Sequence, residues 1–383
     1  MKKGIKDFLS ASAILMGTVV GVGIFGLPYV FSKAGFFVGL GFLIFLGGAM
    51  LLVHLLYGEV VLRTRRKKRL VGYAQKYLGP KGKLIATFSA LFGLFSAQLA
   101  YLIVGGNFLS LALGNILGRG QFIYVLIFFL LGSFVIFKGS RLIAMVEFLM
   151  SIFLIGVILL IFLTSLPHIH LENFGSIYPR NIFLPYGVIL FSLTGASAIP
   201  EAIDYLRAKK RKTYKTSLIL GSLLPVLLSL LFVMAVLGVA GKETSEAALE
   251  SLMGRLPGAV IYTGLLFGIL AVFTSFITIG ITLVKIFWYD YRIPKVFSQT
   301  IVAIIPLVAF LLGLKNFIEI IGIAGTIMGG IDGALIILIY RKARKEGDQK
   351  PFYQLKISSL LLNLLIFVFV LGIVYQITYL FRK

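Results

Sequence analysis

Predominantly apolar runs of about 18 residues or more return from one end of this chain to the other, and no soluble core could bury them all. Each run is long enough to cross a hydrocarbon layer of roughly 30 Å as a helix. The balance of residues agrees: 59% are hydrophobic, 13% are charged and the mean hydropathy is +1.02. The whole chain therefore reads as one all-α polytopic membrane domain, 1–383, of about 11 transmembrane helices. Spans are expected near 10–32, 36–61, 84–112, 121–137, 142–165, 183–206, 214–240, 256–286, 297–313, 316–340 and 355–379. The segment 72–83 is expected to lie on the cytoplasmic face.

A net charge of +23 would point to nucleic acid in a soluble protein. Here the basic residues alternate between successive loops, and 29 of the 37 Lys and Arg fall in loops on the side of the N-terminus. Cytoplasmic loops attract Lys and Arg, so the N-terminus is expected in the cytoplasm and the C-terminus outside, in a multi-pass inner or plasma membrane protein. The densest runs, Arg63–Arg69, Arg207–Lys215 and Arg341–Lys345, are then topogenic and meet lipid headgroups rather than nucleic acid. The chain has no Cys, which excludes disulfides and thiolate metal sites. Its histidines, His54, His168 and His170, make no convincing zinc set, although His168 and His170 could hold a metal weakly in an outer loop. No cleavable signal peptide is visible, no cofactor is called for, and nothing specifies an oligomeric state.

Two spans carry an irregularity. In GTVVGVGIFGLP (Gly17–Pro28), Gly21 and Gly23 lack a Cβ, so the chain can leave helical geometry and let a ligand approach the backbone. The N–H groups of Val22, Gly23 and Ile24 after the break suit a carboxylate, and the carbonyls before it suit an ammonium or a metal cation. The alternative is that Gly17 and Gly21 only let helices pack closely. In FSLTGASAIPE (Phe191–Glu201), Thr194, Gly195, Ala196 and Ser197 precede Pro200, which cannot donate a helical N–H and readily begins a new half-helix. An ordinary proline kink is the alternative there. The second segment lies an odd five spans after the first, so the halves run in opposite senses, and paired interruptions in inverted halves mark the midplane site of a transporter.

The run Gly17–Phe36 (GTVVGVGIFGLPYVFSKAGF) resembles the first-helix signature of amino acid permeases of the amino acid-polyamine-organocation superfamily. The amino acid/auxin and the hydroxy/aromatic amino acid branches are the most similar. AQLAYLIVGGNFL (Ala97–Leu109), LFSLTGASAIPE (Leu190–Glu201) and LLYGEVVL (Leu55–Leu62) look like further segments of those branches. The resemblance implies a five-plus-five inverted repeat of the leucine-transporter type, with repeats near 10–165 and 183–340 and an extra helix near 355–379. It also implies alternating access and uptake of an amino acid driven by Na⁺ or H⁺. The substrate carboxylate is then expected on Gly21, Val22 and Gly23, and its side chain between Tyr101, Phe191 and the small residues Thr194–Ser197. Phe191 would close over it as an aromatic gate. Gln98 and Asn107, on the span of Tyr101, are further candidates to face substrate. With no charged group in those segments, a neutral, mostly apolar or aromatic amino acid fits best.

For the coupling ion, the resemblance places a sodium site on Gly17 and Val20 of the first span and Thr274 and Ser275 of the eighth. Ser275, Thr278 and Thr282 share one helical face, although membrane hydroxyls also commonly bond their own helix. Some proton-coupled relatives carry a lysine in the fifth span where this chain has Leu154. The rival proton carriers are Glu147, Glu201 and Asp332, because an intramembrane carboxylate is costly unless it has a role. Glu201 could instead brace the half-helix it begins. Glu59 and Asp204, at cytoplasmic rims, read as solvated or ion-paired. An enzyme is disfavoured by the absence of GxSxG, HExxH or a phosphate-gripping loop. An exchanger, or a receptor or structural membrane protein without transport, remains the alternative.

Overall fold

The structure is a computed structural model that describes residues 2–118, 120–138, 143–209 and 212–381. Among the described residues there are helices and turns and no strand, as a hydrocarbon solvent demands of a chain that does not close into a barrel. The first span is in two pieces, α1 (Lys2–Val19) and α2 (Gly23–Ala34), which meet at 57°. Then follow α3 (Phe36–Arg63), α4 (Leu70–Leu117), α5 (Gln121–Lys138) and α6 (Ile143–Ser165). The sixth span is α7 (Leu184–Leu193) and α8 (Ile199–Ala208), joined by a 3₁₀ turn over Ala196–Ala198. Beyond it run α9 (Tyr214–Ala240), α10 (Gly258–Lys285) and α11 (Lys295–Leu311). Last come α12 (Phe317–Ala324), α13 (Gly330–Glu346) and α14 (Ser359–Phe381), with a π-helical turn over Gly325–Gly329 between α12 and α13.

Eight helices among the described residues are long and apolar enough to cross a membrane, and the α1–α2 pair is a ninth if its two pieces are one span. Two shorter apolar helices cover Phe153–His168 and Lys295–Leu311. Helix α4 begins earlier than the expected third span because two helices abut at Gly79, whose φ of +75° favours glycine, just before Pro80.

The interrupted helices are central. Helix α1 packs on α6, α8 and α9, α2 on α7 and α9, and α7 on α12. Helices α3, α4, α10 and α13 enclose them, while α5, α11 and α14 carry apolar side chains outward. Leu131, Phe134, Phe297, Leu364 and Phe367 are all more than half exposed, which suits lipid.

The loops separate onto two ends. At one end the chain between α13 and α14 is strapped along α3: Gln349 N–H donates to Arg63 O at 3.2 Å, Gln349 Nε2 to Leu62 O at 2.8 Å and Tyr353 Oη to Leu55 O at 2.7 Å. Lys76 donates to Asp348 Oδ1 at 2.6 Å and, with the Arg65 N–H, holds that carboxyl below its usual range. The other end gathers 33–35, 173–181 and 238–255, through Asn181 Nδ2 to Lys33 O at 3.1 Å, Asn173 Nδ2 to Gly238 O at 2.8 Å and Arg255 Nη1 to Val239 O at 3.1 Å.

The strap's anchor is Glu59, fully buried, which accepts from Arg63 Nε at 2.9 Å and from Leu355 N–H at 2.7 Å. The rim carboxylate is thus ion-paired, as expected, and also holds a distant segment. Removing one partner of a buried pair costs about 3–5 kcal/mol, because the other charge is left alone. Glu59→Ala should therefore lower the melting temperature in detergent clearly; an unchanged melt would mean that the strap is held without Glu59.

Candidate functional site

At the α1–α2 break, Val20 N–H still reaches Met16 O at 2.8 Å, but Gly21 N–H turns back to Val19 O at 2.9 Å. The carbonyls of Gly17 and Val20 then meet no backbone donor, and the N–H groups of Val22 and Gly23 meet no backbone acceptor, among the described residues. Ile24 differs from expectation: its N–H bonds to Gly21 O at 3.4 Å, the first tight turn of α2, so only two of the three expected donors stand free of the backbone.

The reason for the glycines also differs. Neither Gly21 nor Gly23 has a positive φ, so their backbone freedom is not what the break uses. Close approach is. A Cβ on Gly23 would stand 2.8 Å from Ser192 Cα and 3.0 Å from Phe191 Cδ1, and one on Gly21 would stand 2.8 Å from Tyr101 Oη. Tyr101 of α4, Phe191 of α7 and the first break therefore converge, with Phe191 and Thr194 half-buried.

The second break is made by Thr194, extended at φ −71° and ψ 117°, and Gly195 at φ −140° and ψ 12°. Thr194 Oγ1 donates to Leu190 O at 2.8 Å and closes the end of α7, and Pro200 sits in the first turn of α8. The N–H groups of Gly195 and Ala196 meet no backbone acceptor among the described residues. A Cβ on Gly195 would collide with the Val19 side chain and stand 3.0 Å from Leu15 Cδ1, so the two breaks lie against each other. Ser197, in contrast, is exposed.

The remaining candidates scatter. Thr274 Oγ1 donates to Ala271 O at 3.1 Å and Thr282 Oγ1 to Thr278 O at 2.9 Å, the intrahelical bonding considered above. Helix α10, which carries Thr274 and Ser275, packs on α4, α5, α6 and α11 and makes no extensive contact with α1, which carries Gly17 and Val20. Asp332, half-buried in α13, accepts from the buried Ser89 Oγ at 2.7 Å, and no Lys or Arg among the described residues pairs with it. Glu201 is 56% exposed and pairs with Arg69 at 2.9 Å. It braces α8 against the chain after α3, where water can reach it, rather than sitting in the buried place expected of a proton carrier. Glu147 lies in α6, and its side chain is outside the described residues.

Two features escaped the sequence reading, and a third, Gln98, was read only as a candidate to face substrate. Gln98, considered for substrate, is fully buried one turn before Tyr101 with both side-chain polar atoms unpartnered, and a Cβ on Gly280 of α10 would be 3.1 Å from its Nε2. The π-helical turn after α12 holds Gly325 against the backbone of Gly187 and Phe191, and the glycine run Gly322–Gly333 was its signal. His54, a lone histidine in an apolar run, packs beside Gly195.

Interrupted helices meet in the centre of this helical membrane protein, and solved structures share its fold. The inward-facing structure of Mhp1 superposes with a TM-score of 0.66 at 14% identity, over 97% of this chain and 89% of that one. The chain belongs to the tryptophan/tyrosine permease family, which its sequence matches over residues 4–378. Among its relatives are glutamine transporter 2 of Aliivibrio fischeri (22% identical; 88% of this chain, 91% of the relative) and tyrosine-specific transport system 1 of Haemophilus influenzae (23%; 90% and 90%). The protein is accordingly a multi-pass membrane permease and not an enzyme.

Proposed function

We propose that the chain carries a neutral, apolar or aromatic amino acid across the membrane by alternating access, taken up with Na⁺ or H⁺. One observation carries this reading: the two breaks touch, Gly23 on Phe191 and Ser192, Gly195 on Val19, and Tyr101 closes the same space from α4. The α-carboxylate would be held by the N–H groups of Val22 and Gly23 at the positive end of α2, because a charge inside a membrane needs fixed partners and these segments offer no arginine. The substrate side chain would lie between Tyr101, Phe191 and Thr194–Ala196, with Ser197 towards water.

In this reading the interrupted pairs count as single spans, which gives eleven with the N-terminus in the cytoplasm, in inverted repeats near 10–165 and 183–340 with α14 outside them. The strapped end, which holds Arg65–Arg69 and Arg207, would face the cytoplasm. A cation would sit on the carbonyls of Gly17 and Val20 and the hydroxyls of Thr274 and Ser275.

The relatives named for tyrosine and glutamine set the range to test. Purified protein in proteoliposomes should take up labelled tyrosine, tryptophan, phenylalanine, leucine or glutamine saturably. Excess unlabelled arginine or glutamate should compete at least about tenfold less well, as an unpaired charge in an uncharged pocket requires. Strong preference for arginine or glutamate over leucine and phenylalanine would overturn the assignment of substrate, and no saturable uptake of any amino acid would overturn the transporter reading itself.

A further inference from the structure

His54, in α3, is 1% exposed. Its Nδ1 lies 2.9 Å from Ser222 Oγ of α9, while its Nε2 meets no partner among the described residues. The ring edge faces the second break, since a Cβ on Gly195 would stand 3.5 Å from His54 Cε1 and would also press on Leu15 and Val19 of α1. Gly221, beside Ser222, packs on Ser12 O and Leu15 of the same helix. The imidazole thus occupies the junction of α1, α3, α9 and the α7–α8 break, where the two interrupted spans meet.

A histidine bonded on both sides would be explained by packing alone. This ring is bonded on one side, and an unpaired polar atom in a membrane interior is costly enough to need a reason. Imidazole is also the side chain whose charge changes near neutral pH. No carboxylate bonds to it. Glu59 on its own helix is held by Arg63 and Leu355 N–H, and Asp332 of α13 by Ser89. On α8, Glu201 pairs with Arg69 and Asp204 with Lys67 and Arg207. Tyr186 of α7 donates to Val368 O, Tyr214 of α9 meets the Phe352 ring at a tilt, and Lys33 lies over Tyr29 on α2. Tyr57, one turn along α3, meets Tyr73 edge to face, and Asp7 precedes Leu15 on α1 by eight residues. Among the described residues, then, a protonated ring would have no carboxylate hydrogen-bonded to it in this arrangement. It would find acceptors only if the break moved its carbonyls towards the ring.

We propose that His54 binds a proton at Nε2 during the transport cycle, and that this protonation is linked to the conformation of the α7–α8 break, so that His54 sets the pH dependence of transport whichever ion drives it. In the tautomer this requires, Nδ1–H donates to Ser222 Oγ and the Nε2 lone pair takes a proton from water. The imidazolium then has an N–H to offer a carbonyl released by the break. Ser222 acts as the positioning residue, because it fixes which nitrogen is available.

The proposal rests on the transporter reading, and the experiment separates the two. Because the chain has three histidines, His168→Asn with His170→Asn leaves His54 as the sole imidazole. In nanodiscs with labelled histidine, its ring resonances should titrate between about pH 4 and 8, with a midpoint that saturating amino acid moves by about half a unit or more, a threefold linkage. Uptake by the wild-type protein at a fixed driving ion should change at least about fivefold over the same range, within the usual size of a coupling between sites. His54→Gln should flatten that profile, and Ser222→Ala should keep it with a displaced midpoint. A ring that does not titrate, a midpoint indifferent to bound amino acid, or a wild-type profile retained in His54→Gln overturns the proposal. Should His54→Gln fail to fold, the resonance titration decides. If no amino acid is bound or moved, the transporter reading fails and takes this proposal with it; if amino acids move and the ring stays indifferent, this proposal fails alone.

Discussion

Uptake of labelled amino acid should fall about 100-fold in Gly23→Leu, while the protein still inserts into the membrane and elutes as the wild type does in detergent. Leucine suits a membrane helix at least as well as glycine, so insertion has no reason to suffer. The closed site does. A Cβ at Gly23 already stands 2.8 Å from the Cα of Ser192, which is backbone and cannot swing aside, and 3.0 Å from the Phe191 ring. Helix α2 must then move from α7, carrying the N–H groups of Val22 and Gly23 with it, and a displacement of about 1 Å in a positioning group can cost on the order of 100-fold. Gly41 of α3 has open space where its Cβ would be, so Gly41→Leu is the matched control and should transport normally. Equal uptake by the two variants would show that the first break does not hold the substrate.

Replacing Na⁺ by choline at fixed pH should lower uptake by about tenfold or more, a coupling of ordinary size. Ser275→Ala should do the same in sodium. The proposed ligands are all oxygens, which suits a hard cation, and α6, which packs on α1, carries the buried Leu154 where the resemblance to proton-coupled permeases would imply a lysine. The two halves of the ligand set, on α1 and α10, are not packed together in this conformation, so the site should assemble only when those helices approach. Sodium should accordingly protect introduced cysteines on the facing surfaces of α1 and α10 from labelling. Undiminished uptake in choline, with stimulation by an inward proton gradient, would instead direct attention to Asp332, whose contact is a neutral serine rather than a base.

Membrane residence, the approximate spans and the two interruptions were open to reading from the amino-acid order alone, because each is a local property. Hydrophobic length sets a crossing, and Gly195 with Pro200 breaks a helix wherever it is placed. The sharing of charge between loops was equally local. What the glycines of the first break are for was not local. Gly21 and Gly23 have ordinary φ values, and their lack of a Cβ matters only because Tyr101 and Ser192, far along the chain, occupy that space. Glu201 and Glu59 show the same limit. Glu201 read as a proton carrier or a brace and Glu59 as a solvated or ion-paired rim carboxylate, yet one lies in an exposed ion pair with Arg69 and the other is sealed under a strap from beyond α13. His54 was only a lone histidine in an apolar run until folding set its ring beside Gly195 and Ser222. Apolar runs determine that this chain crosses the membrane again and again. Which of its few polar atoms are left without partners is decided by contacts between distant helices, because in a membrane interior a polar group must find its partner within the protein.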